Sequence, residues 1–263
     1  MDKLPGKAIV LARGLGSRMR AASPGTILTA EQARVADAGA KSLIPIAGSK
    51  TLLDLILANL TDAAFTDICL VIGPEHDAIR DHCSNKHLDV RFAVQNEAKG
   101  SADAVSAAEA FVGDAEFFLV VNSDNLYPAR CLSLLHAAGR PAMLAFERES
   151  LIGRSNIPEE RVAKFATVQI DEHGNLRAIV EKPEHIEPNA YISMNAWLFS
   201  NSIFEACRAI EPSERGEYEL TTAVQYSIDN LGEQIAAIKT QEGVLDLSSR
   251  SDIQTAGRFL GQS

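Results

Sequence analysis

Between residues 7 and 146 the chain alternates between two textures. Short runs rich in apolar and β-branched residues, at 8–12, 68–72, 90–94, 117–122 and 143–146, are separated by stretches at 51–64, 74–82, 101–111 and 129–138 whose apolar positions recur three or four apart. The first texture suits buried strands and the second suits amphipathic helices. Their alternation predicts a layered α/β fold whose strand ends direct their loops toward one crevice. Beyond residue 146 the texture changes. Segments 162–170 and 176–181 flank Asp171-Glu172-His173-Gly174-Asn175, a cluster of turn formers, and read as a hairpin in a β-rich substrate lobe. A strand at 191–199, helices at 202–210 and 220–230, a strand at 235–239 and a helix from Asp252 complete the expected order. Residues 21–40 form an Ala-rich insert, with Thr29 placed to cap a helix running to Ala38 and Gly39 suited to end it. Such a segment is either a lid or a surface excursion.

Composition narrows the function classes. With 263 residues, 46% of them hydrophobic, the chain can bury a core without disulfide staples. A formal charge of -10 argues against a broad nucleic-acid footprint, because phosphate backbones are bound by clustered Lys and Arg. No apolar run is long enough for a membrane span, and the N-terminus passes directly into a strand-like segment, so a cytoplasmic enzyme is expected. Cys69, Cys83, Cys131 and Cys207 are widely spaced, lack a CxxC pairing and fall in apolar segments, so all four are expected as reduced core residues. His82, Cys83 and His87 offer no fourth ligand and no recognised zinc spacing.

The first predicted strand runs directly into Leu11-Ala12-Arg13-Gly14-Leu15-Gly16-Ser17-Arg18-Met19. Glycines there let backbone N–H groups approach a polyphosphate, and Arg18 adds a planar charged fork. The same two glycines also suit a plain tight turn. A dinucleotide fingerprint would need a third glycine where Met19 stands, and no GxxxxGK[ST] run occurs, so both of those phosphate-binding readings fall. Gly14-x-Gly16-x-Arg18, followed by Lys41-Ser42-Leu43-Ile44-Pro45, resembles the opening signature of the sugar nucleotidyltransferase family, the NDP-sugar pyrophosphorylases, with glucose-1-phosphate thymidylyltransferases and uridylyltransferases as its nearest type.

The resemblance continues in order along nearly the whole chain. It implies a three-layer α/β/α Rossmann-like mixed sheet with a β-rich sugar-binding lobe. It further implies one nucleotidyltransferase domain over 1–263, with a nucleotide-binding half at about 1–147 and a sugar-binding half plus C-terminal helix at about 148–263. Gln95 and Gly100 resemble the segment with which the family reads the nucleobase. Leu11, Ala12, Gly14, Gly16, Arg18 and Lys41 then fall to the nucleotide. Asp124, at the end of an apolar strand, resembles the family's metal-binding aspartate, and Asp246 in Leu245-Asp246-Leu247-Ser248-Ser249 resembles its second, with Mg²⁺ as the implied cofactor. Glu181-Lys182-Pro183 resembles the motif that contacts the sugar 1-phosphate. Asn125, Asn195 and Glu217 complete the implied sugar pocket.

The implied reaction joins an NTP to a sugar 1-phosphate, or to a sugar-like cyclitol phosphate, with release of pyrophosphate. Arg18 and Lys182 carry the catalytic charge in that reading, and the already ionised sugar phosphate needs no Ser or Cys nucleophile. Several positions depart from the family pattern: Arg13 replaces a small residue, Ala166-Thr167 a tyrosine-glycine pair, Trp197 a glycine, and Ser248-Ser249 a glycine-threonine pair. Two other classes stay open, an NDP-sugar-using glycosyltransferase and a non-catalytic nucleotide-sugar-binding regulator. No nucleic acid or membrane partner is expected. The sequence contains no hexapeptide-repeat tail, so trimerisation or acetyl transfer through one is not expected, and a homo-oligomer built otherwise remains open.

Overall fold

A computed structural model describes residues 6–14, 16–21, 23, 25–181, 183 and 186–261. Strands in chain order are β1 (Gly6–Leu11), β2 (Pro45–Ala47), β3 (Lys50–Thr51), β4 (Phe65–Ile72), β5 (Arg91–Val94), β6 (Phe118–Asn122), β7 (Asn125–Leu126), β8 (Ala142–Glu147), β9 (Thr167–Ile170), β10 (Leu176–Val180), β11 (Tyr191–Phe199), β12 (Ala236–Thr240) and β13 (Leu245–Asp246). Nine of them form one sheet. Its backbone runs β10-β9-β11-β6-β1-β4-β5, and β8 joins β11 and carries β12. Strands β6, β1, β4 and β5 are parallel, and β11 is antiparallel to β6, so the sheet is mixed as expected.

Buried central strands need apolar residues on both faces, and the pleat sends alternate residues to opposite sides. In β1, Ala8 and Val10 enter one core while Ile9 enters the other. Leu119 and Val121 of β6 face the first core, and Phe118 and Val120 the second. Helices Leu52–Asp62, Ala129–His136 and Arg250–Gly261 cover the first face. Helices Ser101–Ser106, Ser202–Ala209 and Leu220–Leu231 cover the second. This is the layered α/β fold expected from the alternation of textures, in the three-layer α/β/α form that the family resemblance implies. All four cysteines are free and buried, and burial pushes the Cys69 and Cys83 thiols up to about 11 and Cys207 up to about 12. They behave as small apolar side chains.

Several expected elements have different bounds, and three of the differences have a clear local cause. The 101–111 stretch is two helices, Ser101–Ser106 and Glu109–Val112, because the Ala108 N–H turns to the Val105 carbonyl and tightens the helical path. The 74–82 helix begins at Asp77, after a turn closed by the His76 N–H on the Gly73 carbonyl. Residues 159–162 are a helical turn entered through Pro158, whose fixed φ suits a helix start, so the hairpin begins only at Thr167.

The insert is docked. Thr29 and Gln32 form the reciprocal capping box at the start of helix Ala30–Ala38, and Gly39 ends it at φ 76°. Gln32 Nε2 donates to the Pro45 carbonyl at 2.8 Å, and Gln254 Nε2 to the Ile27 carbonyl at 2.7 Å. Arg250, on the last helix, donates to the Met19 carbonyl at 2.8 Å and pairs with Asp37.

Candidate active site

Parallel strands align their carboxyl ends, and Leu11, Ile72, Val94 and Asn122 end β1, β4, β5 and β6 along one edge. A cavity of about 380 Å³ opens there. Leu11, Ala12, Arg13 and Gly14 form one wall, and Gly39 to Ser42 the adjoining one. His76, Gln95, Gly100, Asp124 and Glu217 supply polar groups from four further loops.

The Gly14 N–H has no acceptor among the described residues, so it is available to an anion. Gly16 is buried at φ 63°, where a Cβ would overlap the Gly39 carbonyl, so this glycine lets loop and insert touch. Arg18 lies on the single helical turn Ser17–Arg20, exposed, and is not among the cavity-lining residues.

Gln95 is 4% exposed, and its Nε2 donates to the Gly100 carbonyl at 3.0 Å and to Asp103 Oδ2 at 2.7 Å. Both partners are acceptors, which fixes the amide orientation and leaves Oε1 as its free face. Gly100 sits at φ 113°, wedged against the backbone of Tyr218. Tyr218 in turn donates its N–H to the Lys99 carbonyl at 2.7 Å and accepts from Ala102 at 2.9 Å. The Gln95–Gly100 loop is thereby stitched to the 216–218 segment.

Arg13 extends the same stitching. Its Nε donates to the Gln95 carbonyl at 2.6 Å and Nη2 to the Asn96 carbonyl at 3.1 Å, with Glu75 Oε1 at 3.4 Å. A small residue would leave those carbonyls open, so the departure at position 13 builds a clamp between the glycine loop and the Gln95 loop. His76, unassigned by sequence, accepts the Gly73 N–H on Nδ1 at 3.1 Å, so the neutral ring carries its proton on Nε2. Burial, aided by the nearby Arg13 and Arg20 charges, holds its pKa below the ordinary histidine value despite Glu75. Position alone could have flagged it, in a loop directly after β4.

Two aspartates far apart in sequence converge through a short ribbon. In it β13 pairs antiparallel with β7, Asp246 opposite Asn125, and the Leu247 N–H donates to the Asp124 carbonyl at 2.8 Å. Lys41 Nζ pairs with Asp124 Oδ2 at 3.2 Å. Asp246 is 5% exposed; Asn125 Nδ2 donates to its Oδ1 at 2.9 Å, while its Oδ2 has no hydrogen bond among the described residues. Burial, with the Asp124 charge adding to it, pushes the Asp246 carboxyl up to about 6, against the pull of Arg161 and Ser248. A buried carboxylate short of donors beside a second carboxylate suits a hard cation, which would relieve both costs. Among the described residues no group of three or more His, Cys, Asp or Glu side chains is arranged to hold a metal ion, so a cation on these two would complete its shell from water and phosphate oxygens.

Asn156 and Arg161 escaped sequence reasoning. The Asn156 side chain accepts the Asp246 N–H and donates to its carbonyl, both at 2.8 Å. Arg161 pairs with Asp252 at 2.9 Å and reaches Asp246 Oδ2 at 3.3 Å. At Ser248-Ser249 both N–H groups and the Ser249 hydroxyl donate to Asp252 Oδ2, tying the start of the last helix; a glycine-threonine pair would offer the same donors, so these bonds do not explain the departure.

The implied sugar residues are dispersed. Asn125 is 4% exposed and is committed to Asp246 and Tyr127, so it supports the ribbon. Asn195 sits at φ 59° where β11 carries extra residues against β8, the point at which its other edge passes from β9 to β6. Its Oδ1 accepts from Trp197 Nε1 at 3.4 Å. Glu217 lines the cavity, and Glu181 is exposed. Lys182 lies outside the described residues.

Among known proteins, the chain is 26% identical over 260 residues to the UTP–glucose-1-phosphate uridylyltransferase AglF of Haloferax volcanii, covering 97% of this chain and 96% of that one. It is 28% identical over 236 residues to the low-salt glycan biosynthesis nucleotidyltransferase Agl11 of the same organism, and 29% over 230 to a glucose-1-phosphate thymidylyltransferase of Streptomyces antibioticus. Those two matches span 85% of this chain but only 59% and 58% of the relatives. A crystal structure of UDP-glucose pyrophosphorylase complexed with UDP-glucose superposes with TM-score 0.75 at 19% identity, over 99% of this chain and all of that one, which shows a shared fold. The nucleotidyl transferase family model matches residues 7–263, from the first strand through the aspartate ribbon to the last helix, and the chain belongs to that family.

Proposed function

We propose that the protein transfers a nucleotidyl group from an NTP to a sugar 1-phosphate, or to a sugar-like cyclitol phosphate, releasing pyrophosphate. The observation that carries this reading is the β7–β13 ribbon, which sets buried Asp246 beside Asp124, a lining residue of the cavity bounded by the glycine loop and the Gln95–Gly100 loop. The names borne by the relatives, uridylyltransferase and thymidylyltransferase, support the same class.

Asp124 and Asp246 are the residues that would hold Mg²⁺, which when bound supplies positive charge against the α-phosphate oxygens. The Gly14 N–H and Lys41 receive the triphosphate, and Arg18 neutralises the departing pyrophosphate on reorienting toward it. Gln95 Oε1 and the Gly100 backbone face the base. Lys182 positions the attacking sugar phosphate, and Glu181, Asn195 and Glu217 meet the sugar. The attacking oxygen is ionised near neutral pH, so alignment and charge neutralisation carry the rate. We assign the enzyme to a reducing, cytoplasmic setting, supported by four free buried cysteines.

The reverse reaction tests the assignment. Radiolabelled pyrophosphate should enter NTP when the protein is given an NDP-sugar and Mg²⁺, and the Asp124→Asn variant should lose that exchange. A glycosyltransferase or a non-catalytic regulator would incorporate no label, and that outcome would overturn the proposal.

A further inference from the structure

Arg161 stands against Asp246, and neither side chain is among those lining the cavity beside Asp124. It projects from the helical turn Glu159–Val162, its side chain 18% exposed. Nη1 and Nη2 donate to Asp252 at 2.9 to 3.0 Å. Nη2 also lies 3.3 Å from Asp246 Oδ2, close enough for charge pairing yet without a hydrogen bond, and Nε has no hydrogen-bond partner among the described residues. The guanidinium is therefore well held by Asp252 and loosely held by Asp246. Asn156, five residues earlier, fixes the Asp246 backbone from both sides, so the carboxylate stays in place whichever cation it faces.

We propose that Arg161 is a resident counter-charge for Asp246, a positioning residue that stands in for the divalent cation and yields Oδ2 to it on binding. The proposal rests on the reading that Asp124 and Asp246 hold a divalent cation. Its physical basis is the division of labour in the triad. Asp246 alone would be a buried carboxylate beside Asp124, a costly arrangement in the absence of metal. Arg161 lowers that cost, and Asp252 gives Arg161 a second place to rest, so release from Asp246 leaves no unpaired arginine. The consequence is competition. Two positive charges sharing one carboxylate oxygen oppose each other by a factor on the order of ten in binding, even at the dielectric constant of water.

The test is titration of the nucleotide-free protein with Mn²⁺, read by water-proton relaxation and by thermal shift. Arg161→Gln is expected to bind Mn²⁺ about tenfold more tightly than the unaltered chain, and to melt lower without Mn²⁺ but gain more on adding it. Arg161→Lys, which keeps the charge, should behave as the unaltered chain does. Asp252→Asn, which leaves the guanidinium on Asp246 alone, should weaken Mn²⁺ binding severalfold, and this loss should shrink when Arg161→Gln is added. A folded Arg161→Gln protein that binds Mn²⁺ equally or more weakly would overturn the proposal, leaving a merely structural arginine. Should that variant fail to fold, unchanged Mn²⁺ binding in Asp252→Asn would overturn it instead. Absence of Mn²⁺ binding by the unaltered chain would overturn the metal assignment and, with it, this inference.

Discussion

Replacing Gly100 by alanine separates the Gln95–Gly100 loop, to which we assign the base, from the rest of the cavity by a predictable amount. Gly100 sits at φ 113° and ψ 177°, a region open almost only to glycine, and forcing an alanine there costs roughly 1–3 kcal/mol. The new Cβ would also overlap the Tyr218 carbonyl and lie 2.6 Å from its nitrogen. Both are backbone atoms, so the loop must move away. Displacement breaks the hydrogen bonds Tyr218 N–H to Lys99 and Ala102 N–H to Tyr218, each about 1 kcal/mol net. The combined loss is about 3–5 kcal/mol, or a fall in Tm on the order of 10 °C for a chain of this size. Thermal unfolding by circular dichroism measures the fall. Because the displaced loop also carries Gln95 and adjoins Glu217, affinity for the preferred NTP should drop at least about tenfold in calorimetric titration. A variant that melts within about 2 °C of the unaltered protein and binds nucleotide normally would refute the claim that Gly100 and Tyr218 hold this loop.

Further outcomes follow from other residues. Arg18→Ala should lower turnover about 100-fold or more with the melting temperature unchanged, because the Arg18 side chain is exposed and makes no hydrogen bond or ion pair among the described residues; steady-state kinetics beside a melt decides this. Asp246→Asn should abolish metal-dependent turnover yet raise stability near pH 8, since it removes a buried carboxylate whose pKa sits at about 6; denaturant midpoints check the sign. Asp54 tests acid stability: burial pushes its carboxyl up, but hydrogen bonds from Lys86, Thr51 and His82 outweigh this and hold it at about 2. Its folded pKa is lowered, so its stabilisation is present above about 3.8 and is lost as pH falls through about 2. Asp54→Ala should therefore cost up to about 2 kcal/mol at pH 7, less the screening at the partly exposed Lys86, and almost nothing near pH 2.

Much of this architecture was readable because it is local or periodic. Strand β11 has its expected bounds, since nine consecutive residues suit a strand and Ser200 ends it. Thr29 and Gly39 announce the insert helix through capping chemistry that needs no tertiary contact. Asp124 was visible at the end of an apolar strand. What escaped is chemistry built by residues distant in sequence. Asn156 and Arg161 meet Asp246 across 90 and 85 intervening steps of chain, in a segment with neither periodicity nor motif. Arg13 was legible as a departure, but its clamp on Gln95 depends on β1 and β5 ending at the same edge. Whether the insert docks could not be read from its caps, because Arg250 and Gln254 hold it from the far end of the chain.

Pyrophosphate release tests the central claim most directly. Each of ATP, CTP, GTP, UTP and dTTP would be offered with Mg²⁺ and a panel of sugar 1-phosphates, beside an Asp124→Ala control. The account predicts at least one pair that releases pyrophosphate only when both substrates and Asp124 are present, with the matching NDP-sugar formed in equal amount. Pyrophosphate released without the sugar phosphate, or undiminished in the Asp124→Ala protein, would contradict it.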